Sequence, residues 1–259
     1  MIKSYSVILP TLNEAGHIQK LILDICKIFT LSNNEYEIII IDDNSTDGTI
    51  EVVKKIQRYN LNVKIFVRKG KKKNLVESLK DGIKFSNNSY VVWLDADYSH
   101  PPEYINEFIL NNKNNNNDYD IIVFSRFLED SKRYFSLANI NPVIIDTMSI
   151  FLNKICQNLL FKDFTDYTSG YICIKKKQLD NFTLNGYYGD YFINLIVDAK
   201  LNNLKIKELP YIEKARASGY SKTTGDKLNF FIKCFFYFLA IIKSIIKKLI
   251  YFSLNKTKK

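Results

Sequence analysis

Val91-Val92-Trp93-Leu94-Asp95-Ala96-Asp97-Tyr98-Ser99-His100-Pro101-Pro102-Glu103 decides how the rest of the chain is read. From Tyr90 to Leu94 the residues are β-branched and aromatic, which predicts a buried strand. Pro101 and Pro102 stop the strand and favour a turn with a helix after it. Asp95 and Asp97 therefore stand where a strand ends. Two like charges one residue apart are tolerable as a solvated loop, or as a pair of ligands to one hard cation. Mg²⁺ or Mn²⁺ takes carboxylate oxygens and keeps positions open for phosphates.

The segments before and after choose between these readings. Tyr5 to Pro10 predicts a strand, followed by Thr11-Leu12-Asn13-Glu14 and a helical stripe of Ile18, Leu21, Ile22, Ile25 and Ile28. Thr11 or Asn13 can cap that helix. Glu37 to Ile41 is apolar throughout its last four residues, as expected of a parallel strand covered on both faces. It ends in Asp42-Asp43-Asn44-Ser45-Thr46-Asp47-Gly48-Thr49. Val63 to Val67 predicts a third strand, Arg68 to Lys73 a basic loop, and Leu75 to Phe85 a helix. Further strands are predicted at Ile121–Phe124, Ile172–Ile174 and Lys205–Leu209, with helical character between 127 and 164 and over Tyr191–Lys200. Strand and helix alternate with short links, which argues an open α/β sheet. Ligands of such sheets bind beyond the carboxyl ends of the strands. Three predicted strands end in polar clusters, at Thr11–Glu14, Asp42–Asp47 and Asp95–Ser99, and this convergence favours a site.

With 259 residues, 46% of them hydrophobic, the chain can build a substantial core and is not disordered by composition. The net charge of +10 attracts anions: nucleic acid, an acidic membrane surface or phosphorylated substrates. Cys26, Cys156, Cys173 and Cys234 form no Cys-x-x-Cys pair and sit among apolar residues, as buried thiols of a reducing compartment do. His17 and His100 are the only histidines, too few for a histidine metal site. Met1 to Ser4 lead directly into a strand, with no signal peptide visible.

From Leu228 to Phe252 the chain is largely apolar, with lysines interspersed. On a helical wheel Asn229, Lys233, Lys243, Ser244, Lys247 and Lys248 share an arc of roughly 140°, interrupted by Phe236, Tyr237 and Ala240. The length nearly suffices to span a bilayer, and packing on a core or partner also fits, but a lysine face opposite a Phe/Ile/Leu face best suits a helix lying in the membrane interface. The expected organisation is a catalytic domain over residues 1–225 and a membrane-associating helix with a basic tail over 226–259.

Taken together, the motifs resemble family 2 glycosyltransferases, in particular the dolichyl-phosphate (polyprenyl-phosphate) mannosyltransferase branch. They are Pro10-Thr11-Leu12-Asn13-Glu14, Asp42 to Thr49, Leu94 to Glu103, Ser125-Arg126-Phe127, Thr168-Ser169-Gly170-Tyr171, and Arg216-x-x-Gly219-x-Ser221-Lys222-Thr223. Each is weak alone; in this order they are specific. The resemblance implies a GT-A, Rossmann-like nucleotide-diphospho-sugar transferase fold with a mixed, mostly parallel sheet. It implies inverting transfer of a hexose, typically mannose from GDP-mannose, to a polyprenyl phosphate; with the carboxylate pair and the C-terminal helix, the expectation is an enzyme using Mg²⁺ or Mn²⁺ at the cytoplasmic face of a membrane. UDP-glucose stays open as donor.

In those roles Asp95, Asp97 and the Ser99 hydroxyl would hold the metal. Ser99 stands where this branch often carries glutamine. Pro10, Leu12, Glu14, Asp42 and Asp43 would line the nucleoside pocket, carboxylates accepting from base or ribose donors. A phosphate monoester is already anionic at neutral pH, so its attack needs positive groups rather than a base. Arg126 suits a two-bond grip on that phosphate, with Ser169 as a further donor. Arg216 and Lys222 would close over the diphosphate or acceptor phosphate, or else form a solvated basic loop. Asp190 would serve as base only for a hydroxyl acceptor; a helix-start carboxylate explains it equally well. The loop after Arg68 lacks the family's glycine before the helix, so a left-handed residue there falls to Asn74. Two alternatives compete: transfer to a glycan hydroxyl from a UDP-sugar, and a non-catalytic basic module for anionic lipid. The carboxylate motifs count against nucleic acid, whose phosphates they repel.

Overall fold

The computed structural model describes residues 3–113, 118–132, 140–180, 182–214 and 227–256, with the side chains of 140–146, 227–231 and 256 excepted. Its centre is a seven-stranded sheet of β1 (Ser4–Thr11), β2 (Glu35–Asp42), β3 (Val63–Val67), β4 (Tyr90–Trp93), β5 (Ile121–Ser125), β6 (Ile172–Lys175) and β7 (Ile206–Pro210), in the order β3-β2-β1-β4-β6-β5-β7. Every pairing is parallel except those of β6, which runs against both β4 and β5. The sheet is mixed and mostly parallel, as the alternation of apolar runs and helical stripes implies.

β1, β2, β4 and β5 are buried almost throughout because helices cover both faces. One apolar cluster joins α1 (Ile18–Ser32) and α4 (Ile105–Lys113) to one face; the other joins α3 (Leu75–Phe85), α5 (Ile140–Leu159) and α7 (Tyr191–Leu201) to the opposite face. α2 (Thr49–Gln57) flanks β3, and the short α6 (Lys176–Leu179) follows β6. Gly82 lets α3 approach β1: a Cβ there would collide with Ile8 Cγ2. The chain leaves β1 outward to β2 and β3, then returns to β4 on the other side of β1. That reversal opens a crevice at the carboxyl ends of β1 and β4.

Three local expectations are corrected. Helix α1 is not capped by Thr11 or Asn13: the Thr11 hydroxyl donates to Asp42 at 2.9 Å, and Asn13, at φ 56°, takes Ser45 and Thr46 as partners. Asn74 is not left-handed; its side chain caps α3 by accepting from the Val76 and Glu77 amides, and the left-handed residue of that loop is Gly70. Helical structure between 127 and 164 is confined, among the described residues, to α5, while Lys132 bridges to Ile212.

The C-terminal helix α8 (Lys227–Lys256) packs on α7, burying Lys233, Ala240, Ile241 and Ser244, while Lys243 and Lys247 of the polar arc remain exposed. Ser244 donates to Asn194 at 3.0 Å, Lys247 pairs with Asp198, and Lys248 reaches the carbonyls of Leu159 and Leu160. Phe235, Phe238, Ile246 and Leu249 on the opposite side are exposed. Among the described residues, no helix is long and apolar enough to cross a membrane.

Candidate active site

The crevice at the strand ends opens into a cavity of about 390 Å³. β1 delivers Pro10, Thr11, Leu12 and Glu14; β2 delivers Asp43; β4 delivers Asp95, Ala96 and Asp97. The wall is completed by Lys73 and Asn74, by Thr168, Ser169 and Gly170, by Tyr187 to Gly189, and by Lys233 and Tyr237 of α8. Three of the polar clusters read from the sequence therefore share one cavity.

Adjacent carboxylates are sorted by the strand pleat. Asp42, still within β2, points into the protein and accepts from Thr11 Oγ1, the Ser45 amide and Ser45 Oγ. It ties the β1 and β2 loops together and is not among the residues lining the cavity. Asp43, one residue on, faces the cavity; it pairs with Arg68 and accepts from the Asn74 amide at 3.0 Å. Arg68 is buried between Asp43 and Asp81 rather than lying in a solvated basic loop. Glu14 lies 2.8 Å from His17 Nε2.

Asp95 is exposed and Asp97 largely buried, and both face the cavity. The Asp95 amide donates to His100 Nδ1 at 3.0 Å, and the His100 ring stacks on Tyr171. His100 thus fixes the turn that aims both carboxylates, a role the sequence did not announce. Ser99 supports Asp97: its amide donates to Asp97 Oδ1 at 3.0 Å and its hydroxyl at 2.6 Å. The Ser99 hydroxyl is thus turned to Asp97, and Ser99 is not among the residues lining the cavity. Asp95 and Asp97 line one cavity, and a pair of carboxylates is a donor set that fits a hard divalent cation. Among the described residues, no group of three or more His, Cys, Asp or Glu side chains is placed to hold a metal ion.

Arg126, expected to grip a phosphate, is placed otherwise. Its Nε and Nη2 donate to the two oxygens of the fully buried Asp166 at 2.8 and 2.9 Å, and Nη2 also reaches Thr168 Oγ1. Burial alone would raise the Asp166 carboxyl, but the Arg126 guanidinium beside it holds it below the usual carboxylate range. Glu208 accepts from Thr165 and from the Asp166 amide, and its own carboxyl is pushed up by burial. This network fixes the Thr165–Gly170 loop as a wall of the cavity. Ser169 lines that wall, with its hydroxyl donating to the Phe124 carbonyl and accepting from the Tyr171 amide.

Asp190 faces a neighbouring groove of about 970 Å³ rather than the cavity itself. Its Oδ1 accepts from the Tyr187 and Tyr188 amides at 3.1 and 2.8 Å and so shapes the loop that presents those rings. Arg216 and Lys222 lie outside the described residues. Lys233 and Tyr237 are the site residues that sequence reasoning assigned elsewhere. The signal was present: Phe236, Tyr237 and Ala240 interrupt the polar arc, as they do when that arc meets protein.

This arrangement, a mixed and mostly parallel α/β sheet with a carboxylate pair at its reversal point, is that of the GT-A fold. The family model of glycosyl transferase family 2 matches residues 6–182, and the chain belongs to that family. A dolichol-phosphate mannosyltransferase of Pyrococcus furiosus is 29% identical over 229 residues, 86% of this chain and 60% of the relative. The Saccharomyces cerevisiae protein of the same name is 27% identical over 231 residues, 85% of this chain and 81% of the relative. A third, from Mycosarcoma maydis, is 34% identical over 111 residues, 41% of this chain and 37% of its own length. The chain thus spans less than two thirds of two of these relatives. Among solved structures, glucosyl-3-phosphoglycerate synthase of Mycobacterium tuberculosis, in complex with Mn²⁺, UDP-glucose and phosphoglyceric acid, superposes with a TM-score of 0.66 at 14% identity, over 94% of this chain and 80% of that one. S. aureus TarS gives 0.56 at 19% identity, over 81% and 60%. At these identities the likeness is one of fold.

Proposed function

We propose that the chain transfers a hexose, mannose from GDP-mannose first among the candidates, to a polyprenyl phosphate with inversion, at the cytoplasmic face of a membrane. The observation that carries this reading is that Asp95 and Asp97 line the same cavity as Pro10, Leu12, Glu14 and Asp43. The carboxylate pair would hold Mg²⁺ or Mn²⁺, which when bound compensates the charge of a departing nucleoside diphosphate. Glu14 and Asp43 offer acceptors to base or ribose hydroxyls, and Leu12 and Pro10 pack against the nucleoside. Ser99 and His100 keep the two aspartates aimed. Arg216 and Lys222 are retained as cations that close over the phosphates. An acceptor that is already anionic requires no base, in keeping with Asp190 lying off the cavity and bound to two amides. The exposed apolar side of α8 supports a lipid acceptor, and the free thiols of Cys26, Cys156, Cys173 and Cys234 support a reducing compartment.

The test is a panel of radiolabelled nucleotide sugars offered with polyprenyl-phosphate vesicles and Mg²⁺ or Mn²⁺. Label from GDP-mannose is expected in the organic phase; label confined to the aqueous phase with every donor removes the proposal.

Transfer to a glycan hydroxyl makes a different forecast for Asp190. Asparagine at that position keeps an oxygen for the Tyr187 and Tyr188 amides, so D190N is expected to retain kcat/KM within about threefold. D190A leaves two part-buried amides without their acceptor and loses about 1 kcal/mol of stability, read by thermal unfolding. A thousandfold loss in D190N at unchanged melting temperature would instead make Asp190 the base.

A further inference from the structure

Helix α8 does more than cover α7. Along its C-terminal half the inward side chains satisfy α7 and the end of α5, through Ser244, Lys247 and Lys248. Near its N-terminal end the same inward side enters the active-site cavity. Lys233 is 7% exposed, yet lines the cavity that holds Asp95 and Asp97, with its Nζ 4.6 Å from the centre of the Tyr188 ring. Tyr237, one turn further, lines it too. The opposing loop is shaped to receive this helix: a Cβ at Gly189 would collide with Tyr237 Oη, and Phe236 packs on the Tyr187 ring at 4.6 Å between centres. An ammonium held on a tyrosine face at a cavity wall places positive charge where an anionic ligand can meet it with little water between. On the other side of the same helix, Phe235 and Phe238 are 57% and 59% exposed.

We propose that Lys233 is the cation that receives the phosphate of the lipid acceptor, so that α8 carries the lipid surface on one side and the headgroup's binding group on the other. This rests on the transferase reading above. The donor already has the ends of β1 and β2 for its nucleoside and the carboxylate pair for its diphosphate. The acceptor phosphate must arrive from the bilayer, and α8 is an element that presents apolar side chains outward and a lysine into the site. An ammonium there holds the phosphate monoester as a point charge and brings its oxygen toward the sugar without removing a proton.

The experiment compares wild type, K233Q and K233R in full-length protein, with polyprenyl phosphate in vesicles and with a water-soluble short-chain isoprenyl phosphate. K233Q is expected to raise the KM for both acceptors about tenfold, K233R to stay within about threefold of wild type, and the Kd of the nucleoside diphosphate with Mn²⁺, measured by calorimetry, to stay unchanged. The calorimetric binding also certifies that K233Q is folded. Equal activity of K233Q at subsaturating acceptor overturns the proposal, as does a rise in nucleotide Kd matching that in KM, which would place the lysine on the donor. Failure of K233R to recover what K233Q loses would show that charge is not what Lys233 provides. If wild type transfers to neither acceptor, the transferase reading itself fails and this assignment falls with it.

Discussion

D97N is expected to lose about a thousandfold in kcat/KM and to unfold within a few degrees of wild type. The substituted amide would keep an oxygen for the Ser99 amide and hydroxyl, which now reach Asp97 Oδ1 at 3.0 and 2.6 Å, so the turn stays in place. What disappears is one negative charge from a cavity wall that carries the Asp95 and Asp97 pair. Stability has little reason to fall, because removing one of two neighbouring carboxylates relieves their repulsion. On the proposed reading catalysis falls, because one remaining carboxylate would bind a divalent cation poorly and the departing diphosphate would lose its compensation. The measurement is steady-state transfer over a range of Mn²⁺ concentrations. A partial recovery at high Mn²⁺ is expected, since weakened binding is offset by mass action. Full activity of D97N in chelator-treated protein would remove the metal from the chemistry and leave only the fold assignment standing.

The strand ends were legible because burial on both faces writes itself as apolar runs such as Ile38 to Ile41 and Tyr90 to Leu94. β2 and β4 stop being apolar where their carboxylates begin, so the convergence of Leu12, Asp43 and Asp95 follows from the topology rule for open sheets. Orientation was harder to read. Asp42 and Asp43 are adjacent and chemically identical, and only the pleat decides that the first is a buried tie and the second a cavity wall. The Asn74 cap did leave a local trace, Asn74-x-x-Glu77, the pattern of a helix start. The helical wheel of α8 gave the amphipathic pattern correctly and was silent on which side meets the protein. Lysine stems pack well against a protein surface when carboxylates and carbonyls wait there, as Asp198 and the carbonyl of Leu160 do. Arg126 was illegible for another reason: its partner is forty residues away, in the loop before β6.

That partner makes Arg126 the second large effect. R126A is expected to cost about 3–5 kcal/mol, because it abandons a buried carboxylate rather than merely deleting a contact. At about 2–4 °C per kcal/mol for a chain of this size, the melting temperature should drop by about 10 °C. Asp166 is fully buried, and it receives the Arg126 amide at 3.0 Å as well as the guanidinium. The pH dependence follows from the direction of its shift. Asp166 is held below the usual carboxylate range, so its contribution is complete above the unfolded value of about 3.9 and is lost as pH falls through the folded one. In R126A the guanidinium is gone and burial raises the same carboxyl, so the variant is least stable where Asp166 must stay charged. The gap between wild type and R126A should therefore be widest near neutrality and close in acid, below about pH 4, in melting curves taken across pH. Activity will fall too, since the Thr168–Gly170 wall is anchored by this pair. The two roles for Arg126 separate on the ratio of these effects. A structural anchor lowers stability and activity together, whereas a residue that grips the acceptor phosphate would raise KM while the melting temperature held.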